Sequence, residues 1–350
     1  MLTLPMETGP GVTAVADRPA YRPYRATVVG IRSLSEHFTR VTFFGEQFDT
    51  FGTAGLDQRI KIVFPLPGRG LSDIGANDDS TIADGTWYAR WRALPGVDRN
   101  PFRTYTIRAV RPELREIDVD FVSHTGHGLL GPAARWLHTA TVGVDVLIVG
   151  PDERSSGRAI GLDWHPAHAT ELLLAGDETA TPAICSILES LPAGRRARAF
   201  IEMPTEADAL PLVLPTGCEV TWLAREGAER GERLDAAVRG WVADNAALVE
   251  AALVDAVLVE AAPGGSARSP AARAQGPAAR APQPLVEVDV DCELLWESPN
   301  DENGTGFYAW LAGESRMIKL LRRFLVSETG IDRSRVAFMG YWRLGRSEAQ

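Results

Sequence analysis

Cysteine is scarce, with three in 350 residues. Cys185, Cys218 and Cys292 are widely spaced, form no CxxC pair and sit in apolar stretches, which excludes a disulfide framework and an iron–sulfur cluster; they read as small buried hydrophobes. Long apolar runs are missing too, since none approaches the roughly 18 residues a membrane span needs. A chain 45% hydrophobic and 23% charged is ordinary globular material, so no membrane insertion is expected. The opening MLTLPMETGPGVTAVAD has no basic start leading into an apolar core, so residues 1–18 read as a flexible tail, with a cytoplasmic location as the default. Positive charge is in deficit, 36 Lys and Arg against 46 Asp and Glu. A formal charge of -10 argues against general affinity for nucleic acid or anionic membrane, so an anionic substrate has to be held locally. The pairs His124/His127 and His165/His168 have a spacing metal ligands can have, but no further ligand completes a cluster and no metal is expected.

The length fits two domains. Residues 19–152 are dense in short β-type runs (25–31, 40–44, 59–64, 103–110, 116–122 and 145–149) split by Gly and Pro, the pattern of an antiparallel barrel or sandwich. Within them, residues 68–100 are rich in Gly and Asp without periodicity and read as an exposed loop insertion. Residues 168–350 alternate strand and helix, which calls for a parallel sheet covered on both faces. Residues 262–284, mostly Ala, Pro, Gly and Arg, read as a disordered loop interrupting that sheet, with Arg268, Arg273 and Arg280 solvated. In ESRMIKLLRRFL, helical spacing puts Met317, Leu320, Leu321, Phe324 and Leu325 on one face, and Arg316, Lys319, Arg322 and Arg323 on a solvated one.

Three motifs carry chemistry. Arg103-Thr104-Tyr105-Thr106-Ile107-Arg108 lies on a strand, so Arg103, Tyr105 and Ile107 face one way and Thr104, Thr106 and Arg108 the other. An aromatic ring, guanidinium groups and a hydroxyl suit an isoalloxazine with a pyrophosphate tail; an exposed strand with paired charges accounts for the run equally well. Downstream, Gly131 and Pro132 open a helix whose first N–H groups make an anion site, and His124 precedes it at a strand end. Third, in LLLAGDETATPAI a strand turns at Gly176 into a helix beginning Thr181-Pro182, at the strand edge where open α/β sheets bind ligands; a well-capped core helix is the alternative.

In this order, RTYTIR, GPAARW and GDETATP resemble the siderophore-interacting proteins, a branch of the ferredoxin reductase superfamily, and the likeness runs from RATVVGIRSLSEHFTRVTFFG to AGESRMIKLLRRFL and GYWRLGR. The resemblance implies an N-terminal six-stranded antiparallel β-barrel that binds FAD and a C-terminal Rossmann-like parallel α/β sheet that binds NADH or NADPH. By carry-over, Tyr105 stacks on the flavin, Thr106 faces its reactive edge, Arg103 and Arg108 meet phosphate or ring oxygens, and Thr104 and His124 belong to the same site. Gly131, Pro132 and Ala133 receive the pyrophosphate. Asp177, Glu178 and Thr179, with Trp222, Arg225, Gly313 and Glu314, line the nicotinamide site. Two positions depart from the pattern: Ala134 stands where a hydroxyl residue is common, and GDETATP lacks the second glycine of the wider superfamily.

The implied activity is electron transfer from NAD(P)H through FAD to a ferric siderophore, with release of ferrous iron and no side chain acting as acid or base in the hydride step. Ferric chelates are bulky and often anionic, so a basic patch of Lys61, Arg135 and Arg343 is expected over the flavin, against the alternative of ordinary surface cations. Two other functions remain open: a flavin reductase of the same fold whose partner is a ferredoxin or similar iron–sulfur protein, and a non-catalytic flavin or siderophore carrier.

Overall fold

Alternation of apolar and polar residues along the first third of the chain builds one curled sheet. The computed structural model describes residues 18–123, 131–247, 295–300 and 304–345; His124 and the loop 262–284 lie outside them, as does nearly all of the N-terminal tail. Strand β1 (Tyr21–Ser33) pairs antiparallel with both β2 (Phe38–Phe44) and β7 (Asp145–Pro151). With β3 (Arg59–Val63), β4 (Phe102–Thr106), β5 (Ala109–Arg111) and β6 (Glu116–Val122) they form seven strands in the order β4-β3-β7-β1-β2-β6-β5. Tyr24, Ala26 and Val28 of β1 and Ile117, Val119 and Phe121 of β6 point into a common core. Asp118 and Asp120 alternate to the other face, where Arg111 and Arg40 hold them.

The ladder has seven strands where six were expected, because the run 103–110 changes partner midway. The Ile107 N–H donates to Gln58 O, on the β3 side, and the next one, Arg108 N–H, donates to Asp118 O on β6. The bend lets one continuous segment stitch the two ends of the sheet, which curls it into a half-barrel.

Residues 68–100 are not an exposed loop. Asp78 caps helix α1 (Asp79–Asp84) by accepting from Ser80 N and Thr81 N, and α2 (Trp87–Ala93) follows. Trp91 on α2 is buried, its ring 4.9 Å from that of Phe102 and its Nε1 donating to Asn100 O at 2.8 Å. With Ile74, Val63 and Val149 these side chains form a second small core on the outer face of the barrel.

The second sheet runs β10-β9-β8-β12-β13-β11. Strands β8 (Glu171–Gly176), β9 (Arg196–Met203), β10 (Cys218–Ala224), β12 (Phe307–Glu314) and β13 (Val336–Trp342) are mutually parallel. The short edge strand β11 (Trp296–Glu297) is antiparallel, so the sheet is mixed rather than purely parallel. Every residue of β12 is buried, as expected of a strand covered on both faces. Helix α4 (Thr181–Glu189) covers one face; α5 (Glu232–Asp244) and α6 (Ser315–Arg322) cover the other.

Two expectations about the last helix fail together. Leu320 is exposed, and Arg322 is buried in a bond to Glu297. Met317, Ile318 and Leu321 face the core from α6, and Phe324, Leu325 and Val326 face it from the π-turn that continues the helix over Arg323–Glu328.

Candidate functional site

Strand β4 keeps the predicted alternation. Tyr105 and Ile107 belong to the barrel core side, with the Tyr105 ring 4.4 Å from Phe121 and tilted by 43°. Arg103 lies half-buried, and its guanidinium donates to Phe102 O at 2.7 Å. On the other face Lys61 Nζ donates to Thr104 Oγ1 at 3.2 Å and stands 5.0 Å from the centre of the Phe102 ring. Thr106 is buried beside the hydroxyl of Tyr341.

Helix α3 (Pro132–Thr139) packs against β4, bringing two of the three motifs together. Gly131 caps it in an extended conformation with no side chain on the first N–H groups, and a Cβ placed on Gly131 would meet nothing within 4 Å. Among the described residues, then, no side chain caps the helix start, and Gly131 itself is exposed. One turn on, the Trp136 indole is wedged among Phe43, Phe64 and Phe121, and its buried Nε1 finds no hydrogen-bond partner. An exposed helix start that no described side chain caps, next to a half-buried tyrosine and an arginine, fits a flavin with a pyrophosphate tail.

Arg108 stands apart from this group. Its guanidinium lies 2.8 Å from Glu189 on α4 and 3.8 Å from Asp120 on β6, and its carbonyl accepts from Ser186 Oγ. It bridges the two sheets. Of the three basic residues expected over the cofactor, Lys61 lies on β3 beside β4, Arg135 on the exposed side of α3, and Arg343 just beyond β13.

The carboxyl ends of β8 and β12 bring Asp177, Glu178, Thr179, Gly313 and Glu314 together, with Arg225 following β10. Asp177 is fully buried; burial and the neighbouring Glu178 push its carboxyl up to about 6, against the bonds it accepts from Thr179 and Trp342. Glu178 is buried as well, yet Arg225, at 2.7 and 3.1 Å, and Arg230 hold its carboxyl below the ordinary range. Arg225 also reaches Glu202 at 3.3 Å, so its charge is fully engaged by two carboxylates. Glu314 accepts from Arg316 N and Met317 N, capping α6, and Trp222 sits half-buried on β10.

Sequence patterns missed three participants here. Glu202, an acid inside the buried strand β9, also accepts from Gly231 N and Leu234 N and so caps α5; a carboxylate in an apolar strand was the available signal. Arg230 and Trp342 meet across the rim, the guanidinium 4.9 Å from the ring centre.

A further group lies where the sheets join. Asp57 Oδ2 accepts from Asp163 N at 3.0 Å and Trp310 Nε1 at 3.1 Å, while Oδ1 has no partner. Asp163 takes Trp296 Nε1 at 3.0 Å and faces Arg59 at 3.0 Å. Among the described residues no cluster of His, Cys, Asp and Glu is arranged to hold a metal ion, and no helix is long and apolar enough to cross a membrane.

The sequence profile of the siderophore-interacting FAD-binding domain matches residues 27–155, and that of the siderophore-interacting protein matches residues 169–345. An uncharacterised protein of Mycobacterium tuberculosis is 37% identical over 234 residues, 66% of this chain and 74% of that one. The ferric vibriobactin reductase ViuB of Vibrio cholerae is 23% identical over 315 residues, 90% of this chain and 87% of its own. Among solved structures, the siderophore-interacting protein SipS from Aeromonas hydrophila matches with a TM-score of 0.56 at 25% identity, covering 94% of both chains. The ferredoxin reductase of carbazole 1,9a-dioxygenase shares the fold at 13% identity, with a TM-score of 0.52 over 93% of this chain and 71% of that one.

Proposed function

Since the chain belongs to the siderophore-interacting protein family, we propose that it is an FAD-dependent reductase that moves electrons from NADH or NADPH to the iron of a ferric siderophore, releasing ferrous iron in the cytoplasm. The observation that carries this reading is the exposed start of α3, which no side chain among the described residues caps, on a helix packed against the strand of Arg103 and Tyr105. The cofactor would supply what no side chain can, acceptance of a hydride as a pair of electrons and their delivery one at a time.

The protein's part is binding and orientation. The first N–H groups of α3 and the Arg103 guanidinium would hold the pyrophosphate, Tyr105 would lie along the ring system, and the Thr106 hydroxyl would face its reactive edge. At the ends of β8 and β12, the rim around Thr179, Gly313 and Glu314 would receive the nicotinamide nucleotide. Arg225, held by Glu178 and Glu202, would serve that rim as structure. Lys61, Arg135 and Arg343 would attract an anionic ferric chelate. Replacing all three by Ala is expected to raise KM for such a chelate by roughly tenfold, equivalent to about 1.4 kcal/mol of binding; an unchanged KM sinks the patch.

The deciding experiment is optical. The purified protein, loaded with FAD, receives NADH or NADPH without oxygen and then a ferric siderophore with a ferrous-specific dye. Flavin absorbance that bleaches with nicotinamide and returns as the ferrous complex forms is the expected result. A protein that takes up no FAD, or whose bleached flavin does not return, is not this reductase.

A further inference from the structure

The nicotinamide rim is organised around a side chain that has no capacity left to touch a ligand. Asp177 Oδ1 accepts from Thr179 N at 2.9 Å and Thr179 Oγ1 at 2.6 Å. Its Oδ2 accepts from Glu314 N at 2.8 Å and Trp342 Nε1 at 2.8 Å. A carboxylate offers about four lone-pair sites, and here all are taken by donors from its own chain, with the group fully buried.

Those donors come from three places. Thr179 lies in the loop from β8 to α4, Glu314 ends β12 where α6 begins, and Trp342 ends β13. The backbone at Gly313, with φ of +150°, passes so close that a Cβ would stand 2.8 Å from the Asp177 carboxyl carbon, so only glycine fits. Trp342 is fixed from two further sides, by Ser315 Oγ donating to its carbonyl at 2.9 Å and by the Arg230 guanidinium over its ring. Leu344 N then donates to Glu314 Oε1 at 3.3 Å, bringing the chain beyond β13 back to the same point.

We infer that Asp177 is the positioning residue of this rim: it does not contact the nicotinamide nucleotide but ties the ends of β8, β12 and β13 into the shape that receives it, and orients the Trp342 indole there. This rests on the nicotinamide reading proposed above. An asparagine at 177 keeps the volume but offers one acceptor oxygen and turns an NH2 group toward two donors, so one pair of bonds is replaced by opposed donors. Trp342→Phe removes a single donor and keeps an aromatic ring.

The test uses the FAD-loaded protein and separates binding from reduction. Anaerobic stopped-flow titration with NADH and NADPH gives the nicotinamide dissociation constant from the concentration dependence of bleaching, and the limiting bleaching rate at saturation. Asp177→Asn and Trp342→Phe are each expected to weaken nicotinamide binding by about tenfold with FAD content unchanged. The double variant is expected to be no worse than Asp177→Asn, because the indole acts through the carboxylate. Unchanged affinity in a folded variant overturns the inference, and so do effects that add in full, which would mean that Trp342 meets the nucleotide independently. If Asp177→Asn does not fold, Trp342→Phe decides alone by the affinity it shows. A wild-type protein that binds neither nucleotide defeats the nicotinamide reading and this inference with it, and that failure is visible before any variant is made.

Discussion

Asp57 shows how much of the molecule rests on single residues that sequence patterns do not mark. It lies just ahead of the run 59–64, in TAGLDQRIKIVF, yet it is fully buried where the two sheets meet, with one oxygen unpartnered. Burial, reinforced by the facing Asp163, pushes its carboxyl up to about 6. A folded-state value above the unfolded one favours the protonated form, so this group's contribution is fully present below about pH 4 and is lost as pH rises through 6. The loss amounts to about 3 kcal/mol. Asp57→Asn preserves an acceptor for Asp163 N and Trp310 Nε1 and removes the buried charge. It is expected to be more stable than wild type at pH 7 to 8, by up to about that amount, with the advantage gone near pH 4. Urea unfolding of both proteins across that range measures it, and a variant less stable at pH 7 would show that the carboxylate is needed as a charge. Tyr105 and Thr106, by contrast, were legible, since strict alternation along a strand places side chains by number alone.

At the scale of the element, legibility followed length. Strands β8 and β12 and helix α4 announce themselves because an apolar run or a Thr-Pro start needs only local sequence. The segment 68–100 did not, because helices of six and seven residues span under two turns and cannot display a 3.6-residue period. The feature that holds the segment is Trp91, buried on Phe102 and Val63. Asn100 ties its ends by donating to Phe64 O and Gly70 O at 2.9 Å each. Trp91→Ala is expected to cost about 3 to 5 kcal/mol, as for other large buried aromatics, and to open new cleavage sites between residues 68 and 100 in limited proteolysis. Resistance equal to wild type would mean the segment is held by its backbone bonds. The π-turn after α6 is a similar case: no local pattern marks an extra residue in a helical turn.

At the scale of the whole molecule, the order of the motifs was enough to anticipate two sheets, but not how they are held together. The contacts are between distant residues, among them Asp57 with Trp310, Arg108 with Glu189 and His37 with Asp208, and no periodicity links positions so far apart. Asp208 accepts the most bonds of the three carboxylates in these pairs. Fully buried beyond β9, it accepts from Ser35 Oγ at 2.7 Å, His37 N at 3.2 Å, and both the N–H and hydroxyl of Thr205, with His37 Nδ1 at 2.8 Å. Burial works against its charge, but the bonds from Ser35, Thr205 and His37 prevail and hold the carboxyl below the ordinary range. A depressed folded-state value means that the anchor stabilises fully above the unfolded carboxylate range near pH 4 and is lost as pH falls below it. Asp208→Ala strips the turn between β1 and β2 of its partner and leaves buried donors unmatched, at a cost of about 1 to 3 kcal/mol for each donor stranded at neutral pH. Calorimetry at pH 7 is expected to show the half-barrel and the mixed sheet unfolding in separate steps in the variant, against a more cooperative transition in wild type. Below the folded-state value of Asp208, wild type loses the same anchor, so the two proteins should converge. A gap between them that stays constant through the acid range would mean that Asp208 acts through packing, and that the Arg108–Glu189 bridge carries the coupling between the sheets.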